Sequence, residues 1–385
     1  MRKNALTILF FFLSNFWFSF GYSQNINISI FTSQNIQSIS FYVINGKYDV
    51  IGDNKAVSSL AVNDTINCKR LSDKIEVLRN KKIIGVYSFI QIRGTNTDNV
   101  FAITPTNQKH KTRVYDDDIY LKSKSGELQI INDVSFEKYV AASIESEGGY
   151  VSPLEYYKVQ AILCRTYAIK NFQKHLSEGF NLCDGVHCQS YRGKSIKNPS
   201  ITKAAFMTKG LVIVDSDQSV ITATFFSNSG GQTLNSEDNW STKIPYLRSI
   251  KDSFSLGQPN AKWEKKIPKS QWISYLVKKG YNVDSCENFS FYQHQRESTY
   301  NVGSCSIPLK RIRSDWTLKS TFFTIIPQGD TLIFKGKGFG HGVGLSQEGA
   351  IRMAQIGYNY EQIIKFYYRN VQIKNKKTFT FFEVQ

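Results

Sequence analysis

The spacing of apolar residues changes character near position 130. From residue 25 to about 126, Ile26-Ile28-Ile30, Ile39-Phe41-Val43, Ile75-Val77 and Ile84-Val86 fall on every second position, with Gly, Asn and Asp between the runs. A period of two lines alternate side chains along one face of a strand, so residues 24–126 predict a β-rich N-terminal domain. After Asp133 the period lengthens. Phe136, Val140 and Ile144 lie four apart, one face of a helix that Asp133 or Ser135 caps and Gly148-Gly149 ends. Ser152-Pro153-Leu154-Glu155 has the form of a capping box with Pro at the first helical position, opening a second helix to about Lys174.

Further along, Asn198-Pro199 opens a short helix that Gly210 closes, and 211–214 with 220–226 predict a hairpin around Asp215-Ser216-Asp217. Residues 263–308 are polar, contain Cys286 and Cys305, and predict an insertion, the two cysteines being either paired or buried as thiols. The chain then returns to a Gly-rich strand, a helix after Ser346, a helix over 360–368 and a strand over 379–384. Helices and strands mix without strict alternation, so residues 127–385 predict one mixed domain and the whole chain an α+β fold.

Residues 1–23 carry a secretory pattern: Arg2 and Lys3, an apolar run over 6–20, then Gly21-Tyr22-Ser23 before a cleavage point at Gln24. That run is shorter than the roughly 20 residues of a spanning helix; the other outcome is an uncleaved anchor. The expectation is export to the periplasm or cell envelope, with no transmembrane segment in the mature chain. The formal charge of +17 then points away from nucleic acid and toward anionic wall polymers or lipid head groups, or to a dispersed solvated surface.

Several segments could carry chemistry. Glu147 continues the stripe of Ile144 to the mouth of the helix, where partial desolvation would suit a carboxyl to general acid catalysis. Glu145 falls on the other, solvated side. Arg165 sits among small and apolar residues and needs a carboxylate or sugar partner. The loop Ser227-Asn228-Ser229-Gly230-Gly231 admits a ligand close to backbone N–H groups, or is a plain tight turn. Gly338, Gly340, Gly342 and Gly344 recur at every second position, leaving one strand face bare for a flat sugar or another backbone, with His341 on the opposite face. Cys183, His187 and Cys188, with His175 upstream, could form a tetrahedral zinc site, or the two cysteines a disulfide. A cysteine hydrolase built on Cys164 and His341 fails because Cys164 lies mid-helix, away from an activating N-terminus.

In order, these segments resemble the stage II sporulation protein D family. The matching blocks are Tyr139-Val140-Ala141-Ala142-Ser143-Ile144-Glu145-Ser146-Glu147, Lys158 through Ala168, Cys183 through Gln189-Ser190-Tyr191, Phe226 through Gly231, Pro245-Tyr246-Leu247 and Gly338 through Ala350. The resemblance implies a lytic transglycosylase acting on peptidoglycan glycan strands, or in some branches a non-catalytic partner of a wall amidase. It places the catalytic acid/base at Glu147 and substrate contacts at Arg165, Tyr167, Gln189, Ser229, Gly230, Tyr246, His341, Ser346 and Gln347. It also implies, in some members, a zinc ion at the loop of Cys183, His187 and Cys188, with a structural role; no cofactor is required. Two departures stand out: Gly148 replaces a bulky residue, and 263–308 has no counterpart in the minimal family. Ordinary glycosidases use two carboxylates. Here Glu147 is the one convincing candidate, with Asp184, Asp238 and Asp252 as seconds. A lytic transglycosylase needs only one, because the muramic acid 6-hydroxyl replaces water.

Overall fold

A computed structural model describes residues 25–375 except 33, 108, 150, 284–288 and 304. The secretory segment, the strand expected at 379–384 and the pairing of Cys286 lie outside the described residues. The fold is α+β.

The period-two segments form two sheets. One has seven strands in the order Leu182–Cys183, Asn25–Ile30, Glu127–Ser135, Asp118–Lys124, Phe89–Gly94, Tyr48–Gly52 and Lys55–Leu60. The other has six: Arg113–Asp116, Val100–Pro105, Ser38–Asn45, Thr65–Leu71, Lys74–Arg79 and Lys82–Tyr87. Alternate residues of both sheets are buried, and rings from the two interlock, Phe41 and Phe101 lying 5.3 and 5.9 Å from Tyr48. The run Ile84-Val86 behaves differently. It belongs to an edge strand after a register shift at Val77/Leu78, and Val86 is 40% exposed.

Eight helices follow among the described residues: α1 Phe136–Gly148, α2 Leu154–Lys170, α3 Pro199–Met207, α4 Ser236–Trp240, α5 Lys269–Lys278, α6 Leu309–Asp315, α7 Gln347–Gln355 and α8 Tyr360–Tyr367. The caps differ from expectation at α1 and α2. Ser135 makes no side-chain cap bond, and Asp133 instead accepts from the Tyr120 hydroxyl. No capping box forms at α2, because Glu155 accepts from Lys158 and from the amide of Tyr360 at the start of α8. Asn198 at α3 does cap, accepting from the Ser200 amide. The hairpin turn also forms, with Asp215 accepting from Ser219, but its outer strands pair elsewhere: Leu211–Val214 with Gln372–Asn375, and Phe225–Phe226 with Leu345–Ser346.

One hydrophobic core runs from Ile26 through α1, α2, α3 and α8 to Val371, crossing position 126 without a break. A second, separate core joins Ile267 and Trp272 to Ile325, Leu332 and Phe334. This subdomain therefore continues past residue 308. It closes with the antiparallel strands Phe323–Gln328 and Thr331–Lys337, the latter pairing with Lys262–Pro268. Among the described residues no helix is long and apolar enough to cross a membrane.

Candidate functional site around Glu147

Helix α1 buries Phe136, Tyr139, Val140 and Ile144 and leaves the core at its last turn. Glu147 is half-buried there, and Gly149 stops the helix with φ +74°. The Glu147 Oε1 atom accepts the Ser190 N–H at 2.7 Å, while Oε2 takes no hydrogen bond among the described residues. Gln347, at the start of α7, donates its Nε2 to the Glu147 carbonyl at 3.2 Å. From α2 come Cys164 and Tyr167. Burial first, and the Glu147 charge among the lesser causes, pushes both of their titrations upward. Cys164 is fully buried and its thiol is held protonated, in keeping with its mid-helix position. At 148 a Cβ would come 3.2 Å from the Tyr156 hydroxyl, which explains why Gly suits this position.

Beside this carboxylate stands the cysteine–histidine cluster. One ligand atom each from His175, Cys183, His187 and Cys188 lies within 4.8 Å of every other. Cys188 Sγ is 3.4 Å from His175 Nε2 and 3.8 Å from His187 Nδ1, and Cys183 Sγ is 3.9 Å from His187 Nδ1. A tetrahedral ion with bonds of about 2.0–2.3 Å needs ligand separations of about 3.3–3.8 Å, so two thiols and two imidazoles fit zinc. No bond joins the two sulfurs. The Cys188 S–H hydrogen bond, aided by the Gly185 amide and His187, holds the Cys183 thiol below its usual range. Glu178 Oε1 lies 2.5 Å from His175 Nδ1, which fixes the tautomer that turns Nε2 toward the sulfurs. Glu178 went unnoticed in the sequence, although it lies three residues after His175. Cys183 is placed by Leu182–Cys183 pairing in parallel with Asn25–Ile30, and Asp184 by its ion pair to Arg113 and the amides of Phe31 and Thr32.

The family profile described as SpoIID, stage II sporulation protein, matches residues 124–214, the stretch holding Glu147 and the cluster. Stage II sporulation protein D of Bacillus amyloliquefaciens is 30% identical over 279 residues, 65% of this chain and 77% of that protein. The chain belongs to the stage II sporulation protein D family. The Bacillus subtilis (strain 168) stage II sporulation protein D is 29% identical over 270 residues, 65% of this chain and 78% of its own length. An amidase enhancer from the same strain is 30% identical over 272 residues, 56% of this chain but only 37% of that protein.

The family blocks do not all converge on Glu147. Tyr167 and Gln347 adjoin it, and Gln189 lies next to Ser190, its Oε1 accepting from the Tyr139 hydroxyl. Arg165 does not reach a cleft. It is fully buried, paired to Glu137 at 2.5 Å, and donates to the carbonyls of Ala205 and Leu211, so it locks α1, α2 and α3 together. Tyr246 is likewise a core ring whose hydroxyl accepts the Thr222 amide, and it offers no face for stacking.

The Ser229-Gly230-Gly231 loop spends its donors internally. The Ser229 amide goes to Ser346 Oγ, the Gly230 amide to Asn228 Oδ1 and the Gly231 amide to Ser255 Oγ. Ser229 Oγ points inward to Asp252, and Ser346 Oγ is the N-cap of α7. The Gly-rich segment is not a bare strand: Gly338, Gly340, Gly342 and Gly344 all have positive φ. Cβ atoms at Gly338, Gly340 and Gly344 would collide with Asn228 O, Phe226 and Thr224 O, and one at Gly342 would press on Arg296 and Leu234, so these glycines let the segment lie against residues 224–234. His341 is held by the Phe225 carbonyl and the Val343 amide, and burial lowers its pKa to about 4.

Neither Glu145 nor the second carboxylates are free. Glu145 accepts from Ser195, Ile196 and Lys197, and so anchors a loop rather than facing solvent. Asp184 is ion-paired, Asp252 is buried on Ser229, and Asp238 accepts from Asn235.

Proposed function

We propose that this chain is an exported lytic transglycosylase that cuts the MurNAc–GlcNAc bond of peptidoglycan glycan strands, with Glu147 as general acid and base. The observation that carries this reading is the solitary state of that carboxylate. One oxygen is anchored by the Ser190 amide and the other accepts no hydrogen bond among the described residues, while Asp184 is ion-paired and Asp252 is buried on Ser229. A hydrolase with two carboxylates would need a second acid facing Glu147, whereas a lytic transglycosylase needs one. In this reading Glu147 donates its proton to the glycosidic oxygen as the bond to the anomeric carbon breaks. The 6-hydroxyl of the same muramic acid then bonds to that carbon and returns its proton to Glu147, leaving a 1,6-anhydro end. Ser190 and Gln347 orient the acid by holding its carboxylate and its backbone.

The cluster of His175, Cys183, His187 and Cys188 is proposed to hold a structural zinc ion, which pins the loop leading to Ser190. Export follows in this reading from the secretory pattern at the N-terminus.

Mass spectrometry of purified strands after incubation with the protein tests the assignment. Anhydro ends are expected with the wild type, and Glu147→Gln should lose ~10²-fold or more of that product while keeping its fold. Reducing ends, or full activity in the variant, would overturn it. The amidase enhancer among the relatives favours a second reading, a non-catalytic partner that stimulates a wall amidase. Stimulation of an added amidase that survives Glu147→Gln, with no anhydro ends from either protein, would select it.

A further inference from the structure

The subdomain of residues 262–337 holds 13 Lys and Arg against 6 Asp and Glu, an excess of seven within a total of +17. Two of these basic residues, Arg296 and Lys337, stand where the subdomain meets the main core, beside Lys251. A cleft of about 520 Å³ opens there, with the Gly230-Gly231 turn at its back, Leu256 and Phe322 as apolar walls, and Lys251 and Lys337 at its sides. The Lys337 ammonium lies 4.8 Å from the centre of the Phe322 ring, and the Arg296 guanidinium lies 5.0 Å from the same centre. Arg296 donates to the carbonyls of Gln232 and Ser229 rather than to a carboxylate. Among the described residues Lys251, Arg296 and Lys337 form no ion pair.

A second observation comes from strand register. Lys337 stands directly opposite Lys262, a like-charge cross-strand pair that costs stability. Both lysines also line a neighbouring depression of about 650 Å³ on the sheet face, which shares Lys337 with the cleft. Glu264 lines the same depression beside Lys335, and an anionic ligand between Lys262 and Lys337 would relieve the repulsion that remains. A chain of contacts links the residues behind the cleft to Glu147. Gln347 holds the Glu147 carbonyl, and Glu348, the next residue, accepts from Asn228, two residues before Gly230.

We propose that this cleft is a carboxylate-binding subsite for the same glycan strand that crosses Glu147, with Lys251 and Lys337 as the cations that hold it. The proposal rests on the glycan-strand reading above. Lysine suits it as a point charge on a flexible stem that meets single carboxylates along a polymer. Those carboxylates belong either to the lactyl groups of peptide-free muramic acid or to stem peptides.

The test uses the full chain carrying Glu147→Gln, so that strands bind without being cut, and fluorescence anisotropy with three labelled probes. These are peptide-free strands, peptide-bearing strands, and peptide-free strands whose carboxyls have been converted to neutral amides. One or both charged probes should bind about tenfold more tightly than the amidated one, and Lys251→Gln with Lys337→Gln should abolish that preference while leaving the amidated probe unaffected. A preference for peptide-free strands identifies the lactyl carboxylate, and one for peptide-bearing strands identifies the stem. Equal binding of charged and neutral strands, or an unchanged preference in the double variant, overturns the subsite alone. Failure to bind any strand overturns the glycan reading with it. Both lysines are exposed, so the double variant is expected to fold.

Discussion

Gln347 and Glu147 lie 200 residues apart in sequence, yet the Gln347 side-chain amide meets the Glu147 backbone carbonyl at 3.2 Å. The last turn of α1 is thereby held by the first residue of α7, next to the carboxylate. In the glycan-strand reading, Gln347→Ala loosens this turn without touching the acid. Strand cleavage should fall roughly tenfold, chiefly in kcat, because small displacements of a catalytic group are expensive in rate. Steady-state kinetics with a melting curve on the same sample checks this. A drop confined to melting temperature would reduce Gln347 to a packing role.

The metal proposal is settled by elemental analysis of protein purified without chelator. One zinc per chain is expected, Cys183→Ser should lose most of it, and chelation should lower the melting temperature by several degrees. Metal-free protein with a Cys183–Cys188 disulfide in its peptide map would remove the ion.

Gly340 has φ +114°, and a Cβ there would sit 2.7 Å from Phe226 Cβ. Gly340→Val is therefore a stability change of about 1–3 kcal/mol. Thermal unfolding should shift down by several degrees. Strand affinity per folded molecule should stay the same, and a selective loss of affinity would return this segment to a groove wall.

His341 gives a pH signature. Its folded pKa, lowered by burial to about 4, lies below the ordinary value of 6.5. The unfolded chain therefore binds more protons between those values, so the contribution is fully present above pH 6.5 and is lost as pH falls toward 4. Its size is on the order of 3 kcal/mol. Urea unfolding at pH 7 and pH 4.5 should show His341→Gln losing less stability on acidification than the wild type does. Parallel losses would mean that His341 is not buried neutral.

Local signals survived translation into structure wherever one element decided the outcome. Ile26, Ile28, Ile39 and Phe41 point inward because a period of two fixes their face, and Asn198 caps α3 because its partner is two residues away. Four soft ligands within fourteen residues converge because one loop carries them. What stayed hidden depended on distant partners. Arg165 needed Glu137 on another helix, Tyr246 needed the Thr222 amide, and the alternating glycines matched a strand pattern although each adopts positive φ. The far edge of the subdomain was hidden too, since its closing strands at Phe323–Gln328 and Thr331–Lys337 look no different from strands of the main core.

Leu182–Cys183 completes the seven-stranded sheet by lying parallel to Asn25–Ile30, and Asp184 fastens that edge to Phe31, 153 positions earlier. The first described strand thus cannot find all its neighbours until the loop near 190 has been synthesised. Pairings this remote fold slowly, because the intervening chain must be ordered before the contact stabilises it. A shortened chain lacking residues 25–31 would leave the cysteine loop without its scaffold even though every candidate ligand were present. The order of synthesis therefore makes the last residues to enter the sheet, Leu182–Cys183, the ones that carry a candidate ligand.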